Sequence, residues 1–162
     1  QLGHRHIAAF TSVGREFEDR TSGYFAALRE AGLPTDNKNV FTIPRSYDGG
    51  YRMIMDNQKI IHHYTGIFVQ NDPSAIGCIN ALHDLGVQIP EQISVIGYDG
   101  IEEGKFCRPE LTTIEQPLQR IAEVVMDFLL QAINRPGDSA MRTFIQPNVI
   151  LRKSTGPAPQ IQ

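Results

Sequence analysis

Apolar residues recur along this chain in two alternating rhythms. Ile7-Ala8-Ala9-Phe10 is a short unbroken apolar run, the mark of a strand covered on both faces. From about Glu16 to Ala31 the rhythm changes, and Phe17, Tyr24, Phe25 and Leu28 return at helical spacing. Gly32 and Pro34 stop that helix. Val40-Phe41-Thr42-Ile43 predicts a second strand. Tyr47 to Ile61 predicts a second helix, with Tyr51, Ile54, Met55 and Gln58 or Ile61 on one side. Gly66-Ile67-Phe68-Val69 is a third strand. Asp72-Pro73 opens the next helix: the acid suits the N-cap, and proline suits the first helical position, where no amide donor is needed. Ala75, Ile79 and Leu82 follow at helical spacing, Gly86 ends the helix, and Ile93-Ser94-Val95-Ile96 is a fourth strand. This β-α-β-α-β-α-β order predicts an α/β fold, a parallel sheet covered by helices on both faces.

After Pro109 the rhythm shifts. A strand, Leu111 to Ile114, is followed by Pro117 and a helix to about Asn134. Leu118, Ile121, Val125, Phe128, Leu129 and Ala132 form its apolar stripe. Arg135-Pro136-Gly137-Asp138 ends it. A last strand, roughly Thr143 to Arg152, contains Pro147, which points to an edge position or a bulge. The final stretch, Gly156-Pro157-Ala158-Pro159-Gln160, reads as a disordered tail.

Composition narrows the class. The 162 residues suffice for one domain with its own core, and 41% hydrophobic with 20% charged residues is ordinary for a globular protein. No apolar run approaches the length of a membrane span, and no signal peptide stands at the start. A formal net charge of −3 offers no basic excess to nucleic acid, so any DNA contact falls to residues outside this chain. Cys78 and Cys107 stand apart and form no ligand cluster, which points to a reducing, cytoplasmic setting.

In an open parallel sheet, ligands bind beyond the carboxyl ends of the strands. Those ends carry Thr11-Ser12 with Arg15-Glu16, then Arg45, then Gln70-Asn71, then Asp99. Hydrogen-bonding groups of fixed geometry along one rim suit a polyhydroxylated or heterocyclic ligand. Each residue alone reads more readily as a structural or solvated loop end, and Asp72 as a helix cap; the constellation says more than its members. Nothing carries catalysis: the chain has no Gly-x-Ser-x-Gly elbow, no phosphate loop and no Gly-x-Gly-x-x-Gly after the first strand. His62-His63 reads as a polar helix end, His4 and His6 bring no third metal ligand, and Glu102 and Glu103 read as loop charges.

One family matches these residues. Asn71-Asp72, Ala75, Gly77, Ala81-Leu82, Gly86 and Ile89-Pro90 stand in order. Ile93 to Asp99, Leu111-Thr112-Thr113-Ile114 and Gln116-Pro117 follow. Together they resemble the LacI/GalR family of bacterial transcription regulators. Gly3-His4-Arg5-His6-Ile7-Ala8 and Arg20-Thr21-Ser22-Gly23-Tyr24 extend the resemblance upstream, so that it runs from about Leu2 to Lys153. It implies a two-lobed, periplasmic-binding-protein-like type I effector domain, of which this chain is an incomplete part. Residues 1–108 are then expected to form the second lobe. Residues 109–137 are a crossover strand and helix of the first lobe, residues 138–154 the return to the second, and residues 155–162 a tail.

The resemblance also implies roles. Arg20, Asn71 and Asp99 stand where the family grips its effector, and Arg20 lies on a helix that the strand-end reading passes over. Near Arg45 some members carry an aromatic that packs on the ligand, a part that Tyr47 could take here. Arg15 and Glu16 lie in a stretch that varies with the ligand. Arg15 and Arg45 together point to an anionic or strongly hydrogen-bonding effector. For the dimer interface the resemblance offers Ile76, Ile79, Phe106 and Cys107, each of which reads equally as core, with Phe106 the favoured contact. The implied function is non-enzymatic and needs no cofactor and no metal. A sugar-like effector binds between the lobes of a cytoplasmic homodimer and alters operator affinity through a DNA-binding headpiece absent from this chain. The alternative from another class is a periplasmic solute-binding protein of a transport system.

Overall fold

The computed structural model describes residues 2–135 and 142–159. Each expected strand up to the fourth forms. β1 is Ile7–Thr11, β2 Val40–Thr42, β3 Gly66–Val69 and β4 Ser94–Asp99. Helix α1 spans Arg15–Glu30. The second helical stretch divides into α2, Tyr47–Asp56, and a short α3, Gln58–Ile61. The break falls at Asn57, whose side-chain amide donates back to the Met53 carbonyl (3.0 Å) and competes with the helical ladder. Helix α4 is Asp72–Asp84, β5 is Thr112–Glu115, α5 is Leu118–Asn134 and β6 is Asn148–Ile150.

The six strands make one sheet in the order β2-β1-β3-β4-β5-β6, parallel throughout except for antiparallel β6. The period-two alternation of the strands sorts their side chains onto two faces. Ala8, Phe10, Ile67, Val69 and Val95 point to the face covered by α2 and α4, where they join Ile54, Ile79 and Leu82 in the larger core. Ala9, Ile7 and Phe68 point to the other face and meet Tyr24 and Leu28 of α1. Helix α4 lies deepest and sits close against α2. A Cβ on its Gly77 would stand 2.0 Å from the Tyr47 carbonyl oxygen, so only glycine permits that approach.

Three expectations are corrected. The strand assigned to a crossing segment is a full member of this sheet, with Tyr98 in register with Ile114 and Asp99 with Glu115. The chain leaves the sheet only after Glu115. Helix α5 then contributes no buried residue to the body, and Leu118, Val125 and Leu129 of its stripe stand exposed. The tail is pinned as far as Ala158. The Gly156 amide donates to Ser94 Oγ (3.0 Å), His4 Nε2 lies 2.9 Å from the Gly156 carbonyl, and the Ala158 amide donates to the Leu2 carbonyl (2.8 Å). The last strand is shorter than expected and begins after Pro147, at the sheet edge where proline is tolerated. The expected helix stop at Pro136, Gly137 and Asp138, the first part of the return segment and Gln160 lie outside the described residues.

Candidate functional site

The carboxyl ends of β1, β3, β4 and β5 converge with the first turns of α1 and α4. At the centre stands Asp99, the last residue of β4, with its side chain 12% exposed. Its backbone φ is 120°, a region that side-chain-bearing residues rarely enter and that costs of order 1–3 kcal/mol. Arg20 reaches it from α1, with Nη2 3.6 Å from Oδ1. Arg45 reaches it from the loop after β2, with Nη2 3.7 Å from Oδ2. Gln116, just beyond β5, donates its side-chain amide to Oδ1 at 2.8 Å. One carboxylate therefore gathers groups from three other segments.

Arg20 is fixed on several sides. Its Nη1 donates to the Gln70 carbonyl. Its guanidinium lies 3.8 Å from the Tyr98 ring centroid and 5.2 Å from that of Phe17, placements that favour a cation over a ring face. Arg45 is 56% exposed and keeps most of its donors open to solvent. Tyr47 stands half-exposed at the first position of α2, two residues from Arg45.

The neighbouring polar residues divide into structural and open groups. Gln70 is fully buried and spent within the protein: it accepts from Thr11 Oγ1 (2.8 Å) and donates to Thr21 Oγ1 (2.9 Å), tying β1 and β3 to α1. Ser12 donates to the Ile43 carbonyl (2.8 Å). Asn71 is also fully buried. Its Oδ1 accepts from the Ser74 amide (2.9 Å), whereas its Nδ2 has no hydrogen-bond partner among the described residues. Arg15 and Glu16 are exposed at the start of α1, and among the described residues neither joins the ion-paired group around Asp99.

Two readings change here. The cap of α4 is Asn71, and Asp72 is the first helical residue. Asp72 is buried and turns its carboxylate away from the helix, to the Gly100 amide (2.8 Å), the Ile101 amide (2.9 Å) and the Thr113 hydroxyl (2.7 Å). Burial pushes the Asp72 carboxyl above the ordinary aspartate range, while the Thr113 hydroxyl and the two amides pull the other way. Among the expected interface residues, Ile79 and Ile76 are core. Both are buried under the sheet, because α4 is apolar almost all round and is covered by α2 on its outer side. Phe106 is 71% exposed, and Cys107 is half-buried, with its thiol directed at the Gly104 and Pro109 carbonyls.

Gln116, Tyr98 and Thr113, which the sequence offers only as parts of the family pattern, also stand at this site. Gln116 was within reach of the same strand-end rule applied to one more strand, since it follows β5 as Asp99 ends β4. Tyr98 and Thr113 sit inside strands, where sequence gives no sign of a polar contact.

Two cavities border the site. One of about 470 Å³ lies beside Asp99 and runs along Glu115, Gln116 and the first turn of α5. A larger groove of about 860 Å³ is mostly apolar and lies between α1 and the strands, meeting the site only at Arg20 and Tyr98. The smaller cavity borders the chemistry.

The fold as a whole recurs in known proteins. Residues 1–155 match the family described as periplasmic binding protein-like domain. The HTH-type transcriptional repressor PurR of Edwardsiella ictaluri is 32% identical over 163 residues, covering 99% of this chain and 48% of the repressor. The chain thus spans about half the length of the curated relatives it matches. A LacI family transcriptional regulator from Enterococcus faecium, solved with bound ribose, is 30% identical with a TM-score of 0.81, covering 96% of this chain and 58% of that one. A LacI transcriptional regulator from Rhodococcus is 29% identical with a TM-score of 0.87, covering 98% and 59%. The chain belongs to the periplasmic binding protein-like domain family, in the form that LacI/GalR regulators carry for effector binding.

Proposed function

We propose that this chain supplies one wall of an effector site in a DNA-binding transcription regulator. The effector is a small molecule of the sugar or sugar-derivative class. Asp99 accepts from its hydroxyls, and Arg20 and Arg45 donate to its oxygens. Asn71 contributes its unspent amide once the groups that cover it move. Tyr47 lies near enough to Arg45 to pack on a ring, and Arg15 and Glu16 flank the entrance. The observation that carries this reading is Asp99, held between Arg20 and Arg45 at the carboxyl rim of a parallel sheet.

In this reading α5 belongs to the other, first lobe, which is supported by an apolar stripe with no residue buried against the described sheet. Ligand held between the lobes shifts their relative angle. Operator affinity changes because the two arrangements bind ligand unequally. The regulator acts as a homodimer in the cytoplasm, where its operator is, and exposed Phe106 belongs to the dimer contact. The repressor relatives favour this over a transport role.

The test is a titration of the isotope-labelled chain, followed by NMR, with ribose, cellobiose and ribose 5-phosphate. Shifts at Asp99, Gly100 and the Asn71 side-chain amide are expected. Asp99→Ala and Arg20→Ala should each weaken binding about tenfold or more, the scale of one lost charge-assisted hydrogen bond. Stronger binding of the phosphate ester than of ribose would support the anionic effector suggested by Arg45. Binding that Asp99→Ala leaves unchanged would sink the whole reading.

A further inference from the structure

Asp99 carries the ligand chemistry, but nothing in its own side chain explains its backbone. Its φ of 120° is strained for any residue except glycine. Such a geometry persists only where surrounding bonds enforce it. Gln116 bonds Asp99 itself, through its side-chain amide and its backbone amide, but the two residues that follow Asp99 are held by Asp72. Its Oδ2 accepts from the two amides that directly follow Asp99, Gly100 at 2.8 Å and Ile101 at 2.9 Å. Its Oδ1 accepts from Thr113 at 2.7 Å, on the strand paired with β4. The carboxylate therefore bridges the first turn of α4, the turn after β4 and the strand β5.

We propose that Asp72 is a positioning residue, which holds the chain after Asp99 so that the Asp99 carboxylate faces Arg20 and Arg45. This rests on the reading of Asp99 as the ligand's acceptor.

Two further features fit the role. Asp72 is 0% exposed, so water does not compete for its oxygens. The sheet also makes room for it: a Cβ on Gly97 would lie 2.1 Å from Asp72 Oδ1, and only a glycine there lets the carboxylate through to Thr113. An acid at the first position of a helix also favours the helix dipole in its own right. That explanation requires neither the contact with the turn nor the missing side chain at position 97.

The experiment reads the backbone of Asp99 directly, with no ligand. Its amide-to-Hα coupling is small at the observed φ and large in an extended strand. Asp72→Ser is too short to span to both amides, and should move the coupling toward the extended value and release the Gly100 and Ile101 amides to fast exchange. Asp72→Asn should rescue the coupling: its amide oxygen can accept both N–H groups, while its amino group faces Thr113, whose hydroxyl turns to accept. In Asp72→Asn the Gly100 and Ile101 amide protons should still move upfield, because their acceptor has lost its charge. A helix-dipole role alone would leave the Asp99 coupling unmoved in both variants.

The proposal is overturned if folded Asp72→Ser keeps the wild-type coupling at Asp99. If that variant does not fold, unchanged Gly100 and Ile101 amide shifts in Asp72→Asn overturn it instead. Either result leaves the ligand reading standing, and that reading fails separately if Asp99→Ala binds the sugar probes as the wild type does.

Discussion

Asn71 and Asp72 are adjacent, similar in shape and equally suited to cap a helix, yet they do different work. Asn71 turns its oxygen to its own helix, and Asp72 sends its carboxylate across to the turn after β4. The sequence could not assign these parts, since asparagine and aspartate are near-equal caps and one residue decides which lies outside the helix. What decided it was a distant turn with two free amides, a tertiary fact. Asn71 and Asp99 were legible from the strand-end rule, and Arg20, on a helix, only through the resemblance. A residue on the opposite wall offers a cleaner measurement. Tyr24 donates its hydroxyl to the Ile7 carbonyl at 2.7 Å and is 7% exposed. Burial, followed by the nearby Tyr64, pushes its phenol up to about 12 from the usual 10. The unfolded chain therefore releases this proton at lower pH than the folded one. Stability from this group is intact below pH 10 and is lost as pH rises from about 10 to 12. Thermal melts across that range should fall for the wild type and fall less for Tyr24→Phe. Equal slopes would show that this phenol does not set the alkaline limit.

At the scale of elements, α4 and α5 make the contrast. Both were legible from helical periodicity, and α5 has the cleaner stripe of the two. Helix α4 has an apolar surface almost all round, which is the pattern of a buried helix, and nine of its residues are buried. Helix α5 has none. Hydrogen exchange should separate them: α4 amides should be lost only with global unfolding, and α5 amides should exchange orders of magnitude faster, since helical stability in water comes mainly from packing. Matching protection in both helices would mean that α5 docks in solution. Periodicity could not foresee this, because it reports that a face is apolar, not whether anything covers it. The same limit explains β5. Its sequence fixed neither neighbour nor direction, and only the register with β4 shows that it completes the parallel sheet.

Over the whole molecule, the parallel order was legible and the distribution of cover was not. One face of the sheet is closed by α2 and α4. On the other, α1 leaves a groove of about 860 Å³ along Phe68, Ile96, Tyr98 and Ile114. That groove and the stripe of α5 are two apolar surfaces of the kind that monomeric proteins seldom leave open. An environment-sensitive dye should therefore brighten on the folded chain. Ile96→Asp should quench most of the groove's share without unfolding the protein, since Ile96 is only half-buried. A dark folded chain would mean that both surfaces close on something in solution.

The pinned tail matters for how the molecule bears load. The Leu2 carbonyl accepts from the Ala158 amide, and Ser94 clasps Gly156, at the amino ends of the strands and away from Asp99. The two ends of the described chain therefore lie side by side, like the two halves of a buckle. Tension applied between them acts first on this clasp and peels it one bond at a time. The rim around Asp99, at the far pole, stays out of the force path until the clasp has opened.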